Sequence, residues 1–332
     1  MKDFPKILNR IQKRSNLFEH RLLTYTTRRH AFFATFFLAL AAIFFGTQFA
    51  DLKFKNVIAR NTATALPFTV PSPAPYPFVS SVLGASTSAA LTANAAIIMD
   101  NDSKVILFAK NPTIRFSMAS TTKIMTALVG LSYFHLQDIL IIKDDTVEGS
   151  TVGFKKGEQM TFEDLLYSML LPSGNDAAVA ITQNYPGGQT AFIAAMNKKT
   201  QELSLFQTHY ADPAGLDDEG DYTTVVDLAR LGSVALQNET LSKVVSTREK
   251  TIKTISGNVY TFSNLNKLLG IDGVTGIKTG FTDEAGGVLA TSKKEQNKTF
   301  ILVVMKSQDR FADTQYLLSL ISGKTTFVPM YP

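Results

Sequence analysis

Residues 31–50, AFFATFFLALAAIFFGTQFA, form a run of twenty residues without a single charge. A helix of this length spans about 30 Å, the thickness of the hydrocarbon core of a bilayer. Eight Lys and Arg residues precede the run, whereas only Lys53, Lys55 and Arg60 follow it closely. Because positive charge marks the cytoplasmic side, the sequence predicts a single-pass anchor in the cell membrane, with a cytoplasmic N-terminus and an extracytoplasmic domain. The alternative, a cleaved signal peptide, is disfavoured by the long N-terminal region and the length of the run.

Composition divides the rest of the chain into a linker and a globular part. Residues 51–88 contain LPFTVPSPAPYPF, whose five prolines favour extended conformations and are not expected to feed a sheet ladder. Periodic apolar patterns begin near Ala89. The predicted organisation is a basic cytoplasmic tail at 1–30, a transmembrane anchor at 31–50, a Pro/Ser-rich linker at 51–88, a globular domain at 89–325 and a tail at 326–332.

Residue types that several enzyme classes need are missing or scattered. The chain has no cysteine, which excludes disulfides, thiolate catalysis and iron–sulfur clusters. Its four histidines form no HxH or HExxH pair, so we expect neither a histidine-built metal site nor a cofactor. The net charge of +5 is concentrated in the first 30 residues, where eight basic residues face two acidic ones. The remaining chain is nearly neutral and has no basic stripe, so nucleic acid is not an expected partner.

The globular part alternates strand-like and helix-like patterns. AAIIMDNDSKVILFAKN indicates two strands around the turn Asn101–Ser103, and residues 288–291 and 300–305 indicate a second hairpin. Helical spacing is present in STTKIMTALVGLSYF, on both sides of the Pro-Ser-Gly break in FEDLLYSMLLPSGNDAAVAIT, and in FADTQYLLSLI. Strands at both ends with helices between them predict an α+β domain whose first and last segments share one antiparallel sheet.

Three short polar motifs in the globular part follow a distinctive order. Ser120 and Lys123 lie three apart at a predicted helix start, where serine is also an ordinary capping residue. Ser173-Gly174-Asn175 begins 53 residues after Ser120, and Lys278-Thr279-Gly280 begins 105 residues after Ser173. Each motif alone is a common helix start or a strand leading into a glycine turn. The trio in this order is the signature of active-site serine penicillin-binding proteins and class A β-lactamases.

The sequence resembles the D-alanyl-D-alanine carboxypeptidases, the low-molecular-mass penicillin-binding proteins of serine peptidase family S11. The resemblance covers roughly residues 90–322 and is carried by RFSMASTTKIMTA, LLPSGNDAA, DPAGLDD, TTVVDLARL and GIKTGFTDEAGG. It implies a β-lactamase/transpeptidase-like fold, in which an antiparallel sheet flanked by helices is joined to an all-helical subdomain. The active site is then expected between these two parts.

Elementary chemistry assigns expected roles to Ser120 and Lys123. A serine hydroxyl attacks an amide only with a base in hydrogen-bond reach, and residues three apart on a helix share a face. A lysine is protonated near pH 7, but burial and a second cation, Lys278, disfavour its charged form. We therefore expect a neutral Lys123 to take the Ser120 proton, while the helix N-terminus adds positive potential near the developing oxyanion.

The resemblance implies further catalytic roles. Backbone N–H groups of Ser120 and Phe281 would bind the oxyanion that forms when the substrate carbonyl is attacked. Ser173 would relay a proton to the leaving amine. Asn175 would fix both Lys123 and the amide of the substrate.

The resemblance also implies a site for the terminal carboxylate of the substrate. Lys278 and Thr279 would receive this carboxylate, with Gly280 allowing the backbone to approach closely. Arg310, in KSQDRFADTQYLL, matches a family arginine near the same group, although an exposed cation at a helix start is the alternative. Asp221 is a departure from the family pattern, because members usually carry histidine in this segment.

These residues imply a serine D-Ala-D-Ala carboxypeptidase that removes the terminal D-Ala of peptidoglycan stem peptides through an acyl-enzyme on Ser120. β-Lactams would be covalent inhibitors. A DD-endopeptidase that cleaves cross-links in the same site stays open as an alternative. A class A β-lactamase is disfavoured because no E-x-x-L-N segment lies between Ser173 and Lys278. A wall-binding module without catalytic activity would be expected to have lost part of the trio, whereas all three motifs are intact here. A zinc-dependent peptidase is disfavoured because the histidines are scattered.

Overall fold

The computed structural model describes residues 76–79, 91–216 and 220–328. The predicted cytoplasmic tail and transmembrane anchor lie outside these residues, as does most of the predicted linker. Within the described part of the chain, no helix combines the length and the apolar character needed to span a bilayer. The anchor, its orientation and the domain boundaries therefore stay predictions.

Strands lie toward both ends of the described residues, and most of the helices lie between them. The strands are β1 (Tyr76–Val79), β2 (Ala95–Asp100), β3 (Ile106–Lys110), β4 (Ile139–Ile141), β5 (Gln159–Thr161), β6 (Glu249–Lys253), β7 (Val259–Ser263), β8 (Val274–Thr282), β9 (Gly286–Glu295), β10 (Lys298–Ser307) and β11 (Thr325–Val328). The helices are α1 (Lys123–Leu131), α2 (Phe162–Leu170), α3 (Asn175–Asn184), α4 (Gly188–Glu202), α5 (Val225–Gln237), α6 (Glu239–Val245) and α7 (Arg310–Ile321).

A five-stranded antiparallel sheet with the order β3-β2-β10-β9-β8 lies at the centre of the fold. The first long strand, β2, pairs with β10, the last strand of the sheet, which confirms the prediction that the two ends of the domain share one sheet. Successive side chains of a strand point to opposite faces. Ala95, Ile97 and Met99 therefore join the apolar core that contains α1 to α3, whereas Ala96 and Ile98 join the core beneath α7.

Both predicted hairpins are confirmed. After β2, the Asp100 carboxylate accepts hydrogen bonds from the Ser103 backbone N–H (2.7 Å) and hydroxyl (2.5 Å), which closes the turn into β3. Between β9 and β10, Gln296 and Asn297 both have positive φ. Two such residues form the turn whose twist matches that of antiparallel strands. Local contacts of this kind make hairpins readable from sequence.

The helices of the predicted all-helical part pack around α1. Helix α1 contacts α2, α3 and α4, and eight of its nine residues are buried. The Thr161 hydroxyl caps α2 by accepting the Asp164 N–H at 3.1 Å. A helix, a break and a second helix follow one another as predicted, and the break contains Ser173 with a φ of +69°. The fold therefore places the second motif at a sharp reversal of the backbone.

The start of α1 differs from the prediction in one respect. Ser120 lies in a 3-10 turn, Ala119–Thr122, and the α-helix begins only at Lys123. Ala119 has a φ of +46°, and the Thr121 N–H bonds the Met118 carbonyl at 3.2 Å, three residues earlier. This tighter winding replaces the first α-helical turn. Ser120 and Lys123 nevertheless lie three residues apart on one face.

A short two-stranded sheet forms where the proline content argues against one. Strand β1 lies in the predicted linker and β11 overlaps the predicted C-terminal tail; the two pair in antiparallel fashion, with Pro77 opposite Phe327. The expectation that this stretch feeds no ladder is therefore wrong at residues 76–79. Proline is compatible with an edge strand, where its nitrogen need not donate to a neighbour, and both strands of a two-stranded sheet are edges.

Candidate active site

The turn that carries Ser120 packs directly against strand β8, the edge strand that carries Lys278. At Gly280, in the same strand, an added Cβ atom would lie 3.1 Å from the Ala119 Cβ and 3.2 Å from the Ser120 nitrogen. Contacts this short are tighter than most Cβ contacts, so a side chain here would require the turn to move by a few tenths of an ångström. Glycine at position 280 thus lets the first and third motifs meet.

Lys123 is fully buried beside Ser120. Its Nζ lies 2.9 Å from the Ser120 Oγ, 2.7 Å from the Asn175 Oδ1 and 2.7 Å from the Ala214 carbonyl oxygen. The amide and carbonyl oxygens can only accept hydrogen bonds, and a neutral amine has two N–H groups and one lone pair. When the two N–H groups bond these oxygens, the lone pair faces the Ser120 hydroxyl. The arrangement is that of a base positioned to take the serine proton.

The protonation of Lys123 is governed by its surroundings. Burial lowers the pKa of Lys123 to about 7, although the carboxylates of Asp212 and Asp176 act to raise it. Desolvation dominates because an ammonium group loses its hydration in a buried site. A large fraction of the amine is therefore neutral near pH 7 and able to accept a proton.

Lys278 carries the second amine of the site. Its Nζ donates to the Ser173 Oγ at 3.0 Å and to the Thr279 carbonyl oxygen at 3.0 Å. Burial lowers the pKa of Lys278 well below its usual value, and the charges of Lys123 and Arg310 act in the same direction. A serine hydroxyl bonded to such an amine is suited to passing a proton to a nearby nitrogen.

Asn175 begins α3 and ties the site to the loop before it. Its Nδ2 donates to the Glu148 carbonyl at 2.8 Å and its N–H to the Ser150 carbonyl at 2.7 Å. The neighbouring Asp176 carboxylate accepts backbone N–H groups of residues 152–154. The Nδ2 group of Asn175 has two hydrogens, and one of them is bonded to the Glu148 carbonyl of this loop. The predicted contact with the substrate amide requires the other hydrogen.

The other end of the site is positively charged. The Arg310 Nη1 donates to the Gly280 carbonyl at 3.3 Å, and its guanidinium lies 6.0 Å from the ring centre of Phe281. The Arg310 Nε is buried without an acceptor among the described residues. Thr279 is buried beside Lys278, whereas 60% of the Phe281 surface is exposed. Arg310, the first residue of α7, therefore places positive charge beside Gly280, where a carboxylate is predicted.

Two contributors to the site were not assigned from the sequence. Ala214 supplies only a backbone oxygen, which no residue type reveals. The Asp212 carboxylate accepts the N–H groups of residues 214–216 and so shapes the segment that carries this oxygen. Aspartate commonly bonds the backbone two residues ahead, so the Asp-Pro-Ala-Gly pattern at Asp212 was the available signal for this turn.

Known proteins share this sequence pattern. The Peptidase_S11 family model, described as D-alanyl-D-alanine carboxypeptidase, matches residues 83–309. The chain is 32% identical to D-alanyl-D-alanine carboxypeptidase DacF of Bacillus subtilis over 250 residues, and the aligned region covers 72% of this chain and 64% of that protein. It is 34% identical over 251 residues to the D-alanyl-D-alanine endopeptidase of Pseudomonas aeruginosa, covering 72% of this chain and 80% of that protein.

The fold is shared with solved structures as well. The DD-transpeptidase of Streptomyces K15 superposes with a TM-score of 0.66 at 32% identity, covering 70% of this chain and 96% of that chain. This likeness confirms the predicted transpeptidase-like arrangement of an antiparallel sheet and helices. Together with the family match, which spans more than half of the sequence, it shows that the chain is a serine peptidase and belongs to the S11 family of D-alanyl-D-alanine carboxypeptidases.

Proposed function

We propose that the chain is a serine-type carboxypeptidase that removes the terminal D-Ala of peptidoglycan stem peptides through an acyl-enzyme on Ser120. One observation carries the proposal. The Lys123 Nζ lies 2.9 Å from the Ser120 Oγ, while two fixed oxygens take its N–H groups. Membership of the S11 family supplies the substrate class, because its relatives are named for action on D-alanyl-D-alanine.

Acylation uses both amines of the site. Lys123 takes the Ser120 proton as the Oγ bonds to the carbonyl carbon of the penultimate D-Ala. Backbone N–H groups of Ser120 and Phe281 stabilise the negative oxygen that forms. Ser173 passes a proton to the nitrogen of the terminal D-Ala and is reprotonated, through Lys278, with the proton that Lys123 took, so that Lys123 is neutral again at the end of the step. The C–N bond then breaks, D-Ala leaves, and an ester on Ser120 remains.

Deacylation reverses the proton transfers with water as the nucleophile. Lys123 takes a proton from water as the hydroxyl oxygen attacks the ester, and the Ser120 Oγ regains its proton when the C–O bond breaks. One peptide bond is hydrolysed in total. The carbonyl of a β-lactam would acylate Ser120 by the same first step, so we expect these compounds to be covalent inhibitors.

A DD-endopeptidase is the second candidate. The relatives from Pseudomonas aeruginosa and Escherichia coli are named D-alanyl-D-alanine endopeptidases, at 34% and 32% identity. The positive charge of Arg310 beside Gly280 favours the carboxypeptidase, because it suits a substrate that ends in a free carboxylate at this point. Lys278 and Thr279 add hydrogen-bond donors for the same group.

Comparing two peptides separates these activities. Charge-assisted hydrogen bonds contribute about 1.5–3 kcal/mol each. A peptide ending in a free D-Ala carboxylate is therefore expected to have a kcat/KM at least about tenfold higher than its C-terminal amide. Lys278→Ala and Thr279→Ala should reduce this preference as well as the rate, whereas the exposed Lys198→Ala control should change neither. Equal kcat/KM values for acid and amide in the wild type would favour the endopeptidase.

The N-terminal region is proposed to anchor the enzyme in the cell membrane. The charge-free run at 31–50 and the eight basic residues before it support this orientation. Residues 51–88 would then be a spacer that holds the catalytic domain away from the lipid, on the extracytoplasmic side where peptidoglycan lies.

Protease accessibility tests the proposed topology. Protease added to intact spheroplasts is expected to digest the domain after Ala50 and to leave the first 30 residues protected, because a bilayer separates them. Immunoblots against each end measure the result, and lysed spheroplasts are the control in which both ends are digested. A domain that is protected in intact spheroplasts would contradict the topology.

A further inference from the structure

Asp212 and Asp221 form a buried pair of carboxyl groups next to the backbone segment whose Ala214 carbonyl binds Lys123. Their exposed fractions are 7% and 2%. The Asp221 Oδ1 accepts the Ala211 N–H at 2.6 Å. Its Oδ2 is buried and receives no N–H or O–H among the described residues. Burial and the neighbouring Asp212 carboxyl group raise the pKa of Asp221, whereas the backbone N–H groups of Ala211 and Asp212 lower it.

Asp212 shapes the segment that holds the base. Its Oδ1 accepts the N–H groups of Ala214 (2.5 Å) and Gly215 (2.7 Å), and its Oδ2 accepts that of Leu216 (2.8 Å). The Ala214 carbonyl of this segment accepts the Lys123 Nζ at 2.7 Å. Gly215 packs on the Ser120 turn so closely that a Cβ there would lie 1.9 Å from the Ala119 carbonyl oxygen. A movement of Asp212 would therefore change the positions of both Lys123 and Ser120.

The contact between the two carboxyl groups requires a proton. A carboxylate can only accept hydrogen bonds, so two ionised groups in contact would leave Asp221 Oδ2 unpaired and would repel each other. One shared proton satisfies that oxygen and leaves a single negative charge. Burial and the Asp212 carboxyl raise the pKa of Asp221 to about 8, in agreement with this geometry.

Apart from the backbone N–H groups of Ala211 and Asp212, few groups around the pair stabilise a second negative charge. Tyr210 is buried near Asp221, and its hydroxyl has no hydrogen-bond partner among the described residues. Asp227, on α5, adds negative charge near Tyr210, and its own carboxylate accepts the Gln207 N–H at 2.9 Å. The Asp212 charge acts on Lys123, and a second charge on the pair would hold more of that amine in its protonated form.

We propose that Asp212 and Asp221 share one proton and act as positioning residues, which hold the Ala214 carbonyl against Lys123 and keep the base in its reactive form. Loss of the shared proton at alkaline pH then lowers the rate of acylation. This inference rests on the proposed function, because it requires Lys123 to be the base that activates Ser120.

Asp221→Asn separates the hydrogen bond from the proton. Its Nδ2 can donate to Asp212 and its Oδ1 can accept the Ala211 N–H, so the contact persists without a group that titrates. The rate at which a fluorescent penicillin acylates the purified full chain is measured against pH. In the wild type we expect the rate to rise through about pH 7 and to fall above about pH 8.

Asp221→Asn is expected to keep at least about a third of the wild-type rate near pH 7 and to show no alkaline fall, so that it exceeds the wild type by about tenfold near pH 9.5. Asp221→Ala, which removes the carboxyl group that shares the proton with Asp212, should be slow at every pH. Asp227→Asn is the matched control, because it changes a buried carboxylate in the same region that already has donors, and it should keep the alkaline fall.

Two results would overturn the inference. One is a wild-type rate that does not fall above about pH 8; the other is an Asp221→Asn variant that falls together with the wild type. If the variant does not fold, infrared spectroscopy of the wild type decides, because a protonated carboxyl band at pH 7 that disappears through about pH 8 supports the pair and its absence contradicts it. No labelling of the wild type at any pH would instead contradict the proposed function.

Discussion

The Ser120→Ala variant is expected to take up no labelled penicillin and to lose peptidase activity by a factor on the order of 10⁶. The acyl ester needs the Ser120 Oγ, and nothing in an alanine side chain replaces it. The fold should persist, because Lys123 keeps its bonds to Asn175 and Ala214. Covalent labelling is followed by gel fluorescence, and the labelled peptide of the wild type is mapped by mass spectrometry.

A matched serine variant serves as the control for this result. Ser132, at the end of α1, donates its hydroxyl to the Val129 carbonyl at 2.7 Å and takes no part in the site. Ser132→Ala should therefore be labelled like the wild type. A covalent adduct that persists in Ser120→Ala, or that maps to a peptide without Ser120, would assign the nucleophile elsewhere.

Lys123→Met is expected to slow acylation by a factor on the order of 10²–10⁴, the usual contribution of a positioned base. Methionine retains most of the buried aliphatic volume and removes the amine. The wild-type rate should rise as the pH passes about 7, where Lys123 loses its proton. In Lys123→Met this rise should disappear, since the group that titrates is gone. Stopped-flow labelling across the pH range measures both effects.

The Lys123→Met variant also leaves two buried oxygens, of Asn175 and Ala214, without their donor. Each loss costs about 1–3 kcal/mol of stability, so melting temperatures must accompany the rates. Lys198→Ala, on the exposed face of α4, is the control in which rate and melting temperature should both stay near the wild type. A Lys123→Met variant that acylates like the wild type with the same pH dependence would exclude Lys123 as the base.

Local patterns explain which parts of the fold could be predicted. The β2–β3 and β9–β10 hairpins and the break between α2 and α3 depend on contacts within a few residues, and the sequence shows them directly. Glycine at position 280 and the lysines of the trio could be recognised because their chemistry resides in the side chain, or in its absence. The three motifs in a fixed order carried the family resemblance for the same reason.

Tertiary contacts explain what could not be predicted. The Ala214 carbonyl that fixes Lys123 belongs to the backbone, so any residue at that position would supply the same atom. The contact between Asp212 and Asp221 joins residues from two segments that only the fold brings together. The pairing of β1 with β11 crosses more than two hundred residues of sequence, and the proline content of β1 pointed the other way.

Mass spectrometry of a peptidoglycan pentapeptide ending in D-Ala-D-Ala, incubated with the purified full chain, tests the central claim most directly. The account predicts conversion to the tetrapeptide with release of one D-Ala, inhibition by penicillin, and no conversion by Ser120→Ala. Two results would contradict the account. One is a pentapeptide that remains intact although penicillin labels the same wild-type enzyme at Ser120; the other is conversion that persists in Ser120→Ala.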